Sequence, residues 1–363
     1  MQRFFPSWVM AVALCVSSGA NAVDLRVFEV PAIVAPHIAL LLPLKSPAFS
    51  MAATAVEQGF MAASTVDKKG LPVRVYGCAD ESQEIVALYA QAVANGAQAV
   101  VGPLTRKGAG LIAQQPNINV PTLVLNTLEE RGDLPLYSFA MAIEAEARLV
   151  AQQAARAGLR DAIVIGSMSP FDLRVQFAFE EAWNAAGGTI NREIEFNGDP
   201  AQLAGITVQP DTLIFLAGNA QQARLMRPYL PKKLPIYATS QIFANYSPTN
   251  FELNGIRFVD MPWLVQADHP AVRTYPRANP PLPVELDRLY ALGIDAFQLI
   301  QIIMQNQWDN ALPLNGVSGE IQLNGHQFLR SAMPAIFIQG RVQSPDAPTS
   351  EVLLFPGQAH NKP

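Results

Sequence analysis

From Pro36 onward the chain alternates short, nearly continuous apolar runs with segments whose apolar residues recur at helical spacing, and that rhythm leaves few folds open. A run apolar on both sides suits a strand buried inside a parallel sheet, with helices above and below. HIALLLPL (37–44) is the first such run. After it Ala52, Ala55, Val56, Gly59, Phe60 and Ala63 fall at i, i+3, i+4, i+7, i+8 and i+11, one face of a helix. VRVYGC (73–78) predicts a second strand, and Asp80 is placed to cap a helix whose core face is Ile85, Leu88, Tyr89 and Ala92 and which stops at Asn95-Gly96. AVVGPL (99–104) and PTLVLN (121–126) predict strands three and four, with a short helix from Arg106 to about Gln115 between them.

The rhythm then restarts. A helix is expected from Glu144 to Ala157, closed by Gly158, then a strand AIVIGS (162–167) and a helix from Phe171 to Ala186 closed by Gly187-Gly188. Strands are expected at 190–196, 212–218 and 235–240, followed by an extended apolar stretch GIRFVDMPWLV (255–265). Five prolines between 270 and 283 read as loop before a long helix from about Val284 to Trp308, and two short strands, 319–323 and 335–340, close the pattern. Two successive β/α halves followed by a returning helix imply an α/β protein of two Rossmann-like lobes joined by three crossing strands, near 136–140, 260–263 and 312–314. The expected organisation is a leader at 1–22, lobe one at 36–140 plus 262–311, lobe two at 141–261 plus 312–342, and a mobile Pro-, Ser- and Asn-rich tail at 343–363. Ligands of open α/β sheets sit beyond the carboxyl ends of the strands, which here places a cleft between the lobes.

The first 22 residues carry one positive charge, Arg3, an apolar run from Trp8 to Val16, and small residues Ala20 and Ala22 around Asn21. This is the pattern of a secretory signal peptide cleaved near Ala22, and a periplasmic chain is expected. Cys15 follows Leu14, where a lipoprotein peptidase needs a small side chain, so release is expected over an outer-membrane lipid anchor. Cys78 is then the sole remaining cysteine and reads as a small core residue. The formal charge of −5 becomes −6 when Arg3 leaves, with no basic stripe, so nucleic acid is not an expected partner.

Catalytic and cofactor patterns are missing. His37, His269, His326 and His360 are scattered, without the spacing of a metal site, and no G-x-S-x-G surrounds a serine. GPLTRKGAG (102–110) follows a strand and opens a helix as a phosphate loop would, but it matches neither nucleotide motif and reads as a tight turn. The acid pairs Glu129-Glu130 and Glu180-Glu181 read as solvated faces. The expectation is a protein that is not an enzyme and uses no cofactor.

Several segments carry a resemblance: IALLLPL (38–44), EQGFMAA (57–63), AVVGPLTR (99–106), LNT (125–127), FAFEEAWNAAGG (177–188), LPIYATSQIF (234–243), GIRFVDMPWLV (255–265) and RLYALGIDAFQLI (288–300). The chain resembles the type I periplasmic binding protein fold of the Leu/Ile/Val-binding class. More narrowly it resembles the C-terminal domain of the penicillin-binding protein activator family, LppC-type outer-membrane lipoproteins that stimulate class A peptidoglycan synthases. YATSQIF with the DMPWL segment is the most specific part, and only Val23 to Ala35 stands where longer members of the family have a helical-repeat domain.

The resemblance implies a monomeric, non-enzymatic periplasmic regulator whose partner is a class A penicillin-binding protein acting in cell-wall synthesis. The alternative is a solute-binding protein that brings an amino acid or small amide to an ABC transporter. In amino-acid-binding relatives, hydroxyls and N–H groups at strand ends hold the ligand. The equivalent candidates for a small polar ligand here are Ser46, Thr105, Asn126 and Thr127 from lobe one, facing Ser167, Ser169, Phe171 and Ser240 from lobe two. Asp260 and Trp263, in the second crossing, are candidates for the hinge or for a docking surface.

Overall fold

The structure is a computed structural model that describes residues 34–67, 70–128, 134–245 and 248–345. The expected leader with Cys15 and Ala22, the pair Glu129-Glu130, His360 and the expected tail from 346 onward lie outside the described residues.

The first half runs β1 (His37–Leu42), α1 (Ser50–Val66), β2 (Val73–Gly77), α2 (Glu81–Ala94), β3 (Ala97–Val101), α3 (Arg106–Ala113), β4 (Thr122–Val124) and β5 (Leu136–Phe139). Its strands pair in parallel in the order β2-β1-β3-β4-β5. The second half runs α4 (Ile143–Arg156), β6 (Asp161–Gly166), α5 (Pro170–Ala185), β7 (Thr189–Glu195), β8 (Thr212–Ala217), α6 (Ala220–Met226), β9 (Ile236–Ala238) and β10 (Ile256–Asp260). Its order, β7-β6-β8-β9-β10, repeats the first. Both are doubly wound sheets whose strand order reverses beside the first strand of each half. The chain continues through α7 (Pro262–Val265), α8 (Pro270–Thr274), α9 (Val284–Gln305), α10 (Trp308–Ala311), β11 (Leu314–Asn315), β12 (Glu320–Asn324), β13 (Gln327–Ser331), β14 (Met333–Ile338) and β15 (Arg341–Gln343). No described helix is long and apolar enough to cross a membrane.

Local chemistry explains the boundaries. All six residues of β1 are buried, as a central strand covered on both faces requires. Asp80 accepts the Ser82 N–H at the start of α2, and the helix ends where Gly96 turns to φ +94°, a left-handed conformation that glycine adopts without strain. Helices α1 and α9 cover one face of the first sheet and meet backbone to backbone. A Cβ on Gly59 would lie 1.8 Å from the Tyr290 carbonyl oxygen, and one on Gly293 would lie 2.1 Å from that of Val56. The α1 face is the expected one from Ala55 to Ala63, and only its first position differs, with Ala53 buried and Ala52 half-buried toward the cleft.

Three expectations need correction. The apolar stretch 255–265 is extended only to Asp260; Pro262, with its fixed φ and missing N–H, opens the helical turn α7. Residues 314–331, assigned above to lobe two, belong to the first sheet: β11, β12 and β13 form an antiparallel meander, and β13 pairs in parallel with β5 through Gln327–Ser138 and Phe328–Phe139. Phe328 is held there by the rings of Tyr137 and Trp308. The third crossing is therefore at Ala332, between β13 and β14, and not at 312–314; β14 then pairs antiparallel with β10 in the second sheet. The long helix ends at Gln305, where Asn306 takes a left-handed φ of 52°, earlier than Trp308.

Candidate functional site

A cleft of about 730 Å³ lies where the carboxyl ends of both sets of strands face each other. Of the sequence candidates, Thr105, Asn126, Thr127, Phe171 and Ser240 line it. Ser46, Ser167 and Ser169 are not among the lining residues.

The hydroxyls and amides expected to hold a ligand are largely engaged already. Thr105 caps α3 by accepting the Gly108 N–H at 3.1 Å. Asn126 donates to the Leu104 carbonyl at 2.9 Å and accepts the Thr127 N–H at 3.0 Å, while the Thr127 hydroxyl accepts from Arg106 at 3.3 Å. The Ser167 hydroxyl donates to Asp172, and Ser169 caps α5 by accepting the Asp172 N–H. Ser46 is buried in the turn before α1, its carbonyl accepting the Ser50 N–H. Phe171 stands half-open at the cleft wall with the Arg174 guanidinium 5.7 Å from its ring.

The glycine-rich turn at 102–110 has a physical reason not to cradle phosphate. The buried carboxylate of Glu81 accepts the N–H of Leu104 at 2.9 Å and of Thr105 at 2.7 Å, filling the place a phosphate oxygen would take. Burial raises the Glu81 pKa, and the hydrogen bonds from Thr105 and Leu104 oppose that rise. Gly102, at φ +100°, passes so close to β1 that a Cβ would lie 2.0 Å from the Leu41 carbonyl oxygen. The thiol of Cys78 is fully buried, and burial with Glu81 and Glu84 nearby pushes its pKa up to about 11.

Two buried ion pairs join the lobes at the cleft floor. Arg288, on α9, donates from Nε to Asp260 Oδ1 at 3.1 Å and from Nη2 to Oδ2 at 2.7 Å, and it also reaches the carbonyls of Ser240 and Phe243. Asp260, at the end of β10, is 0% exposed and also accepts the Met261 N–H. Arg330, on β13, pairs with Glu146 of α4 at 2.6 Å, and the other oxygen of Glu146 accepts the Ser240 N–H at 3.0 Å. Ser240 thus ties the two pairs into one network through its main chain. Trp263 is fully buried; its indole N–H donates to Asp287 at 2.8 Å, its ring stacks on Tyr290, and Arg277 lies 3.8 Å from the ring centroid. Beside the network Asp295, 0% exposed, accepts the N–H groups of Val317 and Ser318; burial outweighs them and pushes its pKa up to about 6.

Sequence reading missed Glu146, Arg288 and Arg330, and a signal existed for two of them. Glu146 falls three residues after Ile143 on the buried stripe of α4, and Arg288 falls four after Val284 on that of α9. A charge at a core-facing helical position needs a partner. Arg106, Arg148 and Arg174 were also missed; they line the cleft walls with Glu144.

The family model described as "LppC putative lipoprotein" matches residues 23–209 and 204–334. A penicillin-binding protein activator LpoA of Photobacterium profundum is 25% identical over 336 residues, covering 82% of this chain and 55% of that protein. The LpoA of Haemophilus influenzae is 27% identical over 300 residues, covering 78% and 50%. The chain therefore spans about half the length of the curated relatives it matches. Among solved structures, one from Chromobacterium violaceum described as "a putative branched-chain amino acid ABC transporter" is 33% identical with a TM-score of 0.72, covering 84% of this chain and all of that one. The LpoA C-domain from Haemophilus influenzae, described as "a regulator of PBP1A", has a TM-score of 0.70 at 24% identity, over 85% of this chain and 99% of that one. These neighbours share the two-lobed type I periplasmic binding protein fold, and the curated relatives are named as activators of a penicillin-binding protein. With a family model matching most of its length, this chain is a member of the LppC family.

Proposed function

We propose that this chain is a non-enzymatic regulator in the cell envelope that binds a class A penicillin-binding protein and promotes its peptidoglycan synthesis. The observation that carries the reading is the occupation of the hydroxyls and amides at the strand ends. At the cleft Thr105 caps α3, Asn126 holds its own turn and Thr127 accepts from Arg106, while Ser167 and Ser169 lie off the lining and are engaged around Asp172, so few neutral donors and acceptors of the kind that solute receptors supply are left open. The names of the curated relatives support the same reading. The chain acts as a periplasmic monomer after cleavage near Ala22, with Cys15 removed, and needs no cofactor or nucleic acid.

A second reading has one specific support, the 33% identity to the Chromobacterium violaceum protein. It makes the chain a receptor for an amino acid or small amide. A gentle pull-down of the tagged mature protein from native envelope extract, read by native mass spectrometry, separates the two. A class A penicillin-binding protein in the eluate, whose transpeptidase or glycosyltransferase rate rises with added protein, is the expected result. A stoichiometric small-molecule adduct with no synthase overturns it in favour of transport.

A further inference from the structure

Resting on the regulator reading, we propose that the inter-lobe cleft is itself the docking site for the synthase, and that it takes an acidic segment carrying one bulky apolar side chain. Three independent features meet there.

The first is charge. The cleft is lined by five arginines, Arg106, Arg148, Arg174, Arg288 and Arg330, against two glutamates, Glu144 and Glu146, in a chain whose formal charge is −5. Arg288 and Arg330 are neutralised by the buried pairs of the floor. The wall arginines are different. Among the described residues Arg106 has only the Thr127 hydroxyl as partner, while Arg148 and Arg174 hold Glu181 and Glu144 in half-exposed pairs that contribute little and exchange readily for another carboxylate. Three guanidinium groups on both walls therefore offer planar, charge-assisted sites to carboxylates entering from solvent.

The second is size. A volume of 730 Å³ holds roughly two dozen water-sized groups, whereas a free leucine has about nine non-hydrogen atoms. A single amino acid leaves most of this space empty, and an occupant of the open cleft has to fill more of it. An extended peptide segment does so.

The third is a place for the anchor. Adjoining the cleft and sharing Thr127, Arg148 and Arg330 with it is a half-open chamber of about 320 Å³, where Ala145, Leu149 and Phe328 give apolar surface beside the half-exposed Leu329. A bulky apolar side chain desolvated in such a chamber is the usual energetic centre of an interface. At the mouth, Phe49 of one jaw and Phe171 of the other stay 47% and 38% exposed, leaving apolar lips for the flanking chain.

The test uses full-length mature protein and the class A penicillin-binding protein of the same cell, with binding read by biolayer interferometry. Arg106→Glu is expected to weaken binding at least tenfold without moving the melting temperature. Lys107→Glu, an equally exposed neighbour that does not line the cleft, is expected to bind as wild type. A photo-crosslinking residue at Phe49 or Phe171 is expected to capture a synthase peptide rich in Asp and Glu, whereas one at Leu225, exposed on α6, captures none. Unchanged binding by Arg106→Glu, with crosslinks from position 225 only, overturns the docking proposal and leaves the regulator reading intact. Absence of synthase binding by the wild type overturns both. A free anionic small molecule retained in the cleft and competing with the synthase at a 1:1 ratio overturns the peptide occupant.

Discussion

Replacing Arg288 by methionine tests the idea that the cleft floor is a buried electrostatic brace. The substitution keeps most of the side-chain volume but removes both donors to Asp260, one of which, Nη2, also serves the Ser240 and Phe243 carbonyls. Asp260 is then left 0% exposed with the Met261 N–H as its remaining hydrogen-bond donor among the described residues. Removing one member of a buried pair costs about 3–5 kcal/mol, because the remaining charge has lost both water and its partner. Roughly 300 folded residues at about 2.1 cal/mol/K each give an unfolding entropy near 0.6 kcal/mol/K, so the melting temperature should fall by about 5–8 °C. Differential scanning calorimetry at neutral pH measures it. The double variant Arg288→Met/Asp260→Leu removes the orphaned charge and should recover most of the loss, retaining about 1–3 kcal/mol for the two bare carbonyls. A fall below about 2 °C in the single variant, or a double variant no better than the single, would refute the argument.

Asp295 predicts a pH dependence with a definite sign. Its folded pKa is raised from 3.8 to about 6, so the folded state holds a proton that the unfolded state releases, and stability falls as pH rises between those values. Asp295→Asn should flatten the change in denaturation midpoint between pH 4 and pH 6; a slope identical to wild type would assign the dependence elsewhere. Gly293→Ala places a methyl 2.1 Å from the Val56 carbonyl oxygen and must push α1 and α9 apart, costing at least the roughly 1–3 kcal/mol of an overpacked core. Urea titration of the purified variant checks it, and an unchanged midpoint would mean that the seam yields freely. Trp263→Phe loses the hydrogen bond to Asp287 and the stronger of the two aromatic faces for Arg277, about 2–4 kcal/mol, which chemical denaturation would resolve.

The parts of the fold that the sequence announced are those decided locally. Runs such as HIALLLPL declare buried strands because a parallel strand covered on both faces is almost wholly apolar, the one polar residue of β1, His37, being satisfied by the Ala35 carbonyl and the Tyr76 hydroxyl. Asp80, Gly96, Gly158 and Gly187 mark helix ends because capping and left-handed turns depend on the residue in place. The meander 314–331 was assigned to the wrong lobe because its pairing is decided by partners far away, Ser138 and Phe139, and by the rings of Tyr137 and Trp308. The candidate site divided in the same way. Strand-end hydroxyls could be placed near the cleft, but whether a hydroxyl is open to a ligand depends on three-dimensional neighbours such as Asp172 for Ser167. The charged floor was visible only as single polar residues on apolar helix faces, a signal easily read as noise.

The return of the chain to the first lobe sets an order of assembly. The helix pair sealed by Gly59 and Gly293 cannot form until α9 has been made, long after β1 to β5, and β10 gains its second neighbour only when β14 follows at the end of the described chain. Both lobes consequently wait for the same late segment, and the apolar face that α9 covers stays open while most of the protein is being synthesised. A product stopped before Met333 would keep an unpaired edge on β10, open to another chain, so truncation should yield aggregates and not a smaller folded protein.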